Sequence, residues 1–241
     1  MIEVIHLNHH YGSRHALNDI SLSLGRGLHM LLGPNGAGKS TLFSLLTRLT
    51  PVQSGEIKLL GEIPQRQTMA KLGVVFQQNT LDLDLTVAQN LSYYGALHGF
   101  SKSQSLEKAG PLLEHFSLAD RLHDKIRALN GGHRRRTELV RALMHSPEIL
   151  LLDEPTSGLD PKARASLSDA VRSLCEKQPL CVLWATHLIE EVDDDDDVLI
   201  LHRGTLRAHN VAHALKEIHQ HPTLAKVFAN LTADEMSEAS R

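Results

Sequence analysis

The sequence predicts an α/β fold, and three features carry that expectation. Short apolar runs at residues 28–32, 149–152 and 180–185 have the length and composition of buried strands. Leu42, Leu45, Leu46 and Leu49 follow the first run at helical spacing, with Thr50-Pro51 as a stop. Between that strand and that helix stands Gly33-Pro34-Asn35-Gly36-Ala37-Gly38-Lys39-Ser40-Thr41, which fits the pattern G-x-x-x-x-G-K-[ST]. Its glycines let the backbone curl so that successive N–H groups point inward and cradle phosphate oxygens. Lys39 adds a point charge that reaches β- and γ-phosphates, and the Ser40 hydroxyl suits a Mg²⁺ ion. The helix N-terminus at the end of the loop favours an anion further.

Residues 1–25 alternate in the manner of strands, through Ile2, Val4 and Leu7 and then Leu17, Ile20, Leu22 and Leu24. A turn is expected at Tyr11-Gly12, where Tyr11 is either a turn aromatic or a flat face for an adenine ring. Beyond the first helix, Ser54-Gly55 precedes a strand over residues 56–61. Residues 72–76 read as another strand with Gln77-Gln78 at its end. A glutamine there is a loop residue or a sensor of Mg²⁺ and attacking water.

Composition then turns helical. Thr86-x-x-Gln89 is a capping box, and Val87, Leu91, Tyr94 and Leu97 follow on one face. A second helical stretch covers about residues 103–116, where Gly110-Pro111 is expected to break or kink it, and a third lies near residues 120–129. Residues from about 80 to 145 thus read as a helical lobe inserted into a strand-rich core. Tyr93 and Tyr94 are adjacent and cannot share a helix face, so one of them is open to a partner or both pack ordinarily. In Leu129-Asn130-Gly131-Gly132-His133-Arg134-Arg135-Arg136, Asn130 is a strong N-cap for a helix carrying Leu139, Ala142 and Leu143. That makes a second helix N-terminus and a second candidate phosphate site. The arginine run by itself reads as a solvated face.

The run at 149–152 delivers Asp153 and Glu154 to the C-terminal end of a central parallel strand, where open α/β sheets place their ligands. Asp153 suits a Mg²⁺ contact and Glu154 a base that activates water. Adjacent carboxylates at a strand end are costly unless a cation or a function holds them. Pro155 ends the strand, and residues 156–160 form a turn before the next helix. The run at 180–185 ends in Thr186-His187. Residues 193–197, an acidic run before a strand over 198–201, read as a solvated turn, with a cation site as the minor alternative. From about residue 208 the chain is a polar, mostly helical tail.

Composition bounds the class. The 241 residues allow one sizeable core, or a core with a smaller lobe, and 41% hydrophobic with 22% charged residues is ordinary for a soluble globular protein. A net charge of −3 gives no basic surplus for nucleic acid. Cys175 and Cys181 make no disulfide framework and fit a reducing cytosol. No apolar stretch is long enough to span a bilayer and no signal-peptide pattern stands at the N-terminus, so a membrane role is expected through a partner chain. Neither His9-His10 nor the pair His219 and His221 has a cysteine or acidic residue at ligand spacing, so solvated surface is expected rather than metal.

The ordered set GPNGAGKST, GVVFQQ, LNGGHRRR, ILLLDEPTSGLD and WATH resembles the nucleotide-binding subunit of an ATP-binding cassette (ABC) transporter, from the N-terminus to about residue 207. The LNGGHRRR element just upstream of LLLDEP is specific to this family among phosphate-loop ATPases. Residues 224–232 resemble the tails of cassettes serving ABC-2-type exporters. LNGGHRRR together with FQQNTLDLDLTVAQNL resembles cassettes encoded beside PQQ-dependent alcohol oxidation systems.

The resemblance implies a P-loop NTPase with a RecA-like core, an antiparallel β subdomain and an inserted helical subdomain. Residues 1–207 would form the ATPase domain and 208–241 the tail. ATP and Mg²⁺ would be its ligands. Tyr11 would stack on adenine, and Gly33, Pro34, Asn35, Gly36, Ala37, Gly38, Lys39, Ser40 and Thr41 would hold the phosphates. Ser40, Gln77 and Asp153 would bind Mg²⁺ directly or through water. Glu154 would polarise the attacking water, and His187 would contact the γ-phosphate. Asn130, Gly131 and Gly132 would cap the γ-phosphate of ATP held by a second copy, and Asp160 would cross that interface. The helical lobe and the Gln77 region would contact an ABC-2-type permease and hold the subunit at the cytoplasmic face of the membrane. This division suits phosphoryl transfer, which is mostly positioning and charge stabilisation.

Three departures from the family pattern stand out. Asn130 replaces the usual Ser, His133 a common Gln, and Asp197 a common basic residue. Asn still caps a helix and offers N–H donors, so activity is expected to survive. The competing reading is a soluble ABC ATPase acting on DNA or ribosomes. Such proteins carry long coiled-coil or zinc-bearing insertions, or two cassettes in one chain, and neither is present in this sequence. A regulatory module without hydrolysis is disfavoured by Glu154 and His187.

Overall fold

The alternating apolar residues near the N-terminus fold into a hairpin of β1 (Ile2–Tyr11) and β2 (Arg14–Leu24), whose inward side chains include Ile2, Val4, Leu7, Leu17 and Ile20. The computed structural model describes residues 1–233, and these fall into two units. One comprises residues 3–23, 29–57 and the chain from 185 onward. Its first sheet has the order β2-β1-β4, with β4 at Ser54–Leu59. Its second pairs β3 (Gly27–Leu32) in parallel with β8 (Asp197–His202), in register from His29 opposite Asp197 to Leu32 opposite Ile200. The antiparallel strand β9 (Thr205–Val211) lies on the far side of β8. Met30 to Leu32 and Val198 to Leu201 are buried throughout, as expected of strands covered on both faces. Helices α1 (Lys39–Leu46), α7 (Ala212–Ile218) and α8 (Leu224–Thr232) belong to this unit.

The other unit comprises residues 1–2, 24–28 and 58–184. Here β5 (Leu72–Val75) runs parallel to β6 (Ile149–Asp153), and β7 (Cys181–Thr186) follows β6 in the sheet order. The one-turn helix α2 (Arg66–Met69) precedes β5. Helices α3 (Val87–Leu97), α4 (Lys102–His115), α5 (Gly131–Leu143) and α6 (Pro161–Lys177) complete it. Capping boxes open α3 at Thr86 and Gln89 and α4 at Ser101 and Gln104. His98 and His145 stack with centroids 4.2 Å apart, beside Tyr94 and Arg141.

Several local expectations fail for identifiable reasons. Helix α1 stops at Leu46, because Arg48 takes φ 58° and leaves the helical path, and Leu49 is exposed beyond it. The buried stripe of α3 is Val87, Ala88, Leu91 and Gly95, so Leu97 is off it and 69% exposed. Pro111 does not break α4: it forfeits a single N–H bond, while buried Ser105, Ala109 and Leu113 hold the helix in place. The stretch near 120–129 forms two short 3₁₀ turns, Ala119–Arg121 and Ile126–Ala128, in place of a helix. Its backbone is taken up elsewhere, since Ile126 and Arg127 donate to the carbonyls of Leu85 and Leu83 at 3.0 and 3.1 Å. His9 is 1% exposed rather than solvated. The acidic run is not uniformly solvated either, since Asp196 is buried and Asp197 opens β8.

The tail begins as the end of β9 and continues as α7 and α8; residues 234–241 lie outside the described residues. Among the described residues no helix is long and apolar enough to cross a membrane. Cys175 and Cys181 form no disulfide among the described residues, and burial pushes the Cys181 thiol up to about 12.

Candidate functional site

The glycine-rich loop joins β3 to α1, as the spacing requires. Gly38 caps α1 at φ 113°, a backbone that L side chains rarely adopt, and a Cβ there would lie 2.8 Å from the Ala16 carbonyl oxygen. Gly33 is fixed by proximity instead: its Cβ would stand 2.6 Å from the Leu201 carbonyl oxygen. No side chain caps α1, so its first N–H groups serve the loop, where an anion is favoured. The buried Lys39 ammonium donates to the Gly33 and Pro34 carbonyls at 2.6 and 3.3 Å. Ser40 is exposed one residue on. The Gly33 N–H donates to Thr186 O at 3.3 Å, which ties the start of the loop to the end of β7. Exposed His187 follows at once. Tyr11 ends β1 with 51% of its surface open, its ring edge-on to buried His9 at 4.7 Å.

A second group of residues lies in the unit that holds β6. Asp153 ends that strand and Glu154 follows it; both are buried. Glu154 takes φ 48°, a left-handed conformation uncommon outside glycine, and its carbonyl accepts from Ser157 N at 3.1 Å. The Gln77 amide donates to Glu154 Oε2 at 3.2 Å. The two residues stand 77 positions apart, and the parallel pairing of β5 with β6 brings them together.

Arg135 secures this arrangement, and sequence reasoning missed it. Its guanidinium donates to the Phe76 carbonyl at 2.7 Å, to Gln77 O at 3.1 Å, to Glu154 O at 3.4 Å and to Glu138 Oε2 at 2.8 Å. Glu138, 1% exposed, also accepts from Thr80 N at 2.8 Å. The middle arginine of the supposed solvated run is therefore buried, while its neighbours Arg134 and Arg136 remain partly open. The available signal was Glu138, one turn further on the same face of α5.

Asn130 and Asp160 both act as N-caps. Asn130 Oδ1 accepts from His133 N at 2.9 Å at the head of α5, and Asp160 Oδ1 accepts from Ala163 N at 2.9 Å at the head of α6. Gly131 and Gly132 form the first turn of α5. These two helix heads line one pocket of about 400 Å³ with His133, Arg136 and Lys162. Burial, with Arg136 and Arg121 nearby, holds His133 below the ordinary histidine value. The pocket thus has dipole and cationic side chains for an anion.

Gln77 and Asp153 in one unit, and Ser40 in the other, each present hard oxygen donors, a chemistry that suits Mg²⁺ rather than zinc or copper. Among the described residues no three His, Cys, Asp or Glu side chains cluster as metal ligands.

The model of the family described as ABC transporter matches residues 17–157. The linearmycin resistance ATP-binding protein LnrL of Bacillus subtilis is 37% identical over 197 residues, covering 80% of this chain and 63% of that protein. The daunorubicin resistance ATP-binding protein DrrA3 of Streptomyces coeruleorubidus is 39% identical, over 86% of this chain and 66% of its own length. The Nod factor export ATP-binding protein I of Burkholderia lata is 39% identical, over 86% and 69%. The chain thus spans about two thirds of the length of the curated relatives it matches. A solved structure of the ATP-binding subunit of an ABC transporter superposes with TM-score 0.84 at 25% identity, over 96% of this chain and 99% of that one. A nucleotide-free ATP-binding cassette superposes with TM-score 0.81 at 23% identity, over 95% and 98%, and shares the fold.

Proposed function

The chain belongs to the ABC transporter family, and from that premise we propose that it is the ATP-binding and ATP-hydrolysing subunit of an exporter. It works with a separate ABC-2-type membrane permease and a second copy of itself. The observation that carries the reading is the Gln77–Glu154 hydrogen bond beside Asp153 at the end of β6. It keeps the carboxylate that would activate water in contact with the residue that would sense Mg²⁺. The names of the relatives, two resistance proteins and a Nod factor export protein, support export.

Tyr11 stacks on adenine, and the loop over residues 33–41 takes the phosphates through backbone N–H groups and Lys39. Ser40, Gln77 and Asp153 would hold Mg²⁺, which would supply positive charge against the phosphate oxygens. Glu154 orients and deprotonates the attacking water, and His187 donates to the γ-phosphate. The heads of α5 and α6, with Asn130, Gly131, Gly132 and Asp160, meet the ATP held by the second copy. Asn130 Oδ1 is occupied by the His133 N–H, so its Nδ2 is the donor offered to phosphate. Residues 1–207 act as the ATPase domain, residues from about 80 to 145 as the helical part that meets the permease, and 208–241 as a tail. Exposed Tyr93 at 67% and Leu97 one turn on supply an apolar patch for that contact. The permease keeps the subunit at the cytoplasmic face.

Replacement of Glu154 by Gln tests the reading. Turnover should fall about 10²–10⁴-fold while ATP affinity stays near wild type. Turnover within a few-fold of wild type would remove Glu154 from the role of base.

A further inference from the structure

Arg14 is the first residue of β2, two positions beyond Gly12 in the turn of the β1–β2 hairpin. Its Nη2 donates to the Gly36 carbonyl at 3.2 Å, in the middle of the phosphate loop. We propose that Arg14 is a nucleotide-phosphate contact, a second side-chain cation of the loop beside Lys39.

Three observations support it. The hairpin is locked to the loop rather than draped over it. A Cβ at Gly38 would stand 2.8 Å from both the Ala16 carbonyl oxygen and the Leu17 side chain, and Gly204 bridges the two segments, accepting from Asn18 N at 2.7 Å and donating to Ala37 O at 2.8 Å. Arg14 also makes no ion pair among the described residues, although its side chain is exposed and carries a full charge. A guanidinium has five N–H donors in a planar fork, and one neutral carbonyl occupies only part of that capacity. The third is direction. Tyr11 and Arg14 flank the two-residue turn, so hairpin geometry sets them on one face; His10 and His15 stack on the other with centroids 3.9 Å apart. A nucleotide with its base on Tyr11 and its phosphates in the loop passes the Arg14 side chain.

The inference rests on the reading that this loop binds ATP. A cation at the rim of a nest of N–H groups strengthens anion binding through charge-assisted hydrogen bonds, which salt screens because the group is exposed. ADP is the probe, since it is not turned over. Its dissociation constant is measured by calorimetry for the full-length wild type, Arg14→Gln and Arg14→Lys at about 0.05 and 0.5 M salt, together with melting of each protein without nucleotide. Arg14→Gln should weaken ADP by about tenfold at low salt and by clearly less at high salt, with melting unchanged. Arg14→Lys should recover most of the affinity. ADP affinity within twofold of wild type in Arg14→Gln would overturn the proposal. So would a salt-independent loss accompanied by lower melting, which would make Arg14 a brace for the Gly36 carbonyl. A wild type that binds no ADP would defeat the ATP reading itself, a separate and recognisable outcome.

Discussion

The loop over residues 33–41 is built almost wholly from its own backbone, whereas the group around Glu154 is built from side chains far apart in sequence. In the loop, Gly33 and Gly38 make the path feasible and Lys39 folds onto its own carbonyls. Around Glu154, Gln77 comes from the end of β5, Arg135 and Glu138 from α5, and Thr80 from the segment between. The first construction depends on conformation and the second on a buried charge pair. They should therefore fail in different ways.

The pair gives the largest effect. Glu138→Ala strands Arg135 in a buried position, and breaking a buried pair from one side costs about 3–5 kcal/mol. Denaturant unfolding should show that loss, and turnover should fall with it because Glu138 no longer fixes the Arg135 guanidinium that holds the Gln77 carbonyl. An Arg135→Met, Glu138→Leu double variant should recover much of the stability but not the turnover, which separates the fold from the positioning of Gln77.

Gly38→Ala should injure the loop more mildly but more selectively. A side chain at φ 113° costs about 1–3 kcal/mol, and the clash with Ala16 O displaces the hairpin. Nucleotide affinity should drop well before the second unit loses structure, as amide exchange resolved by region would show.

Asn130 is a smaller test, at the position where the sequence leaves the family pattern. Asn130→Ser should stay near wild type, since both residues cap about equally well. Asn130→Ala should cost about 1 kcal/mol in thermal melting and at least tenfold in turnover at unchanged ATP affinity. Wild-type turnover in Asn130→Ala would show that the side chain only caps, and that Gly131, Gly132 and the helix dipole suffice.

Acid separates the two regions by pH window, with the smallest effects. His145, after α5, is held down to about 4 by burial and by His98, against the backbone contact to Leu72. The unfolded chain takes up a proton near pH 6.5 that the native state refuses until about pH 4, so stability falls as pH drops through that window. Between pH 7 and 6 the His145 share of the loss should be below about 1 kcal/mol, and His145→Phe should remove that share while leaving what His98 and His133, also held below the ordinary histidine value, contribute. On the loop side, Asp197 backs β3. Burial alone would raise its carboxyl, but the hydrogen bonds from His209 and from His29, at 3.0 and 2.6 Å, outweigh it and hold the carboxyl well below the usual range. Its contribution is present above the ordinary carboxylate pKa and is lost only as pH falls below it, so the Asp197 carboxyl itself adds no slope between pH 7 and 6.

This contrast also explains what could be read in the sequence. The loop, the N-caps at Thr86 and Asn130 and the strand that delivers Asp153 were legible because each is set within a few residues. Arg135 was not, because the Phe76 and Gln77 carbonyls it satisfies lie about sixty positions away in sequence. Nor was Asp197: the acidic run looked solvated until the β3–β8 register set His29 opposite it. The stretch near 120–129 had helical composition but gave the N–H groups of Ile126 and Arg127 to the segment before α3. Pro111 shows the converse, a local breaker overruled by the packed face of α4. Arg14 carried no motif at all, and only the hairpin's return to Gly36 exposed it.

The central claim is that ATP joins two copies through the loop of one and the helix heads of the other. Light scattering of the Glu154→Gln chain tests it most directly. Without nucleotide the particle should have the mass of one 26.7 kDa chain. With Mg²⁺-ATP it should double, and Lys39→Ala in the same background should prevent the doubling. A particle that stays at the monomer mass with ATP bound, or one already dimeric without nucleotide, would contradict the account.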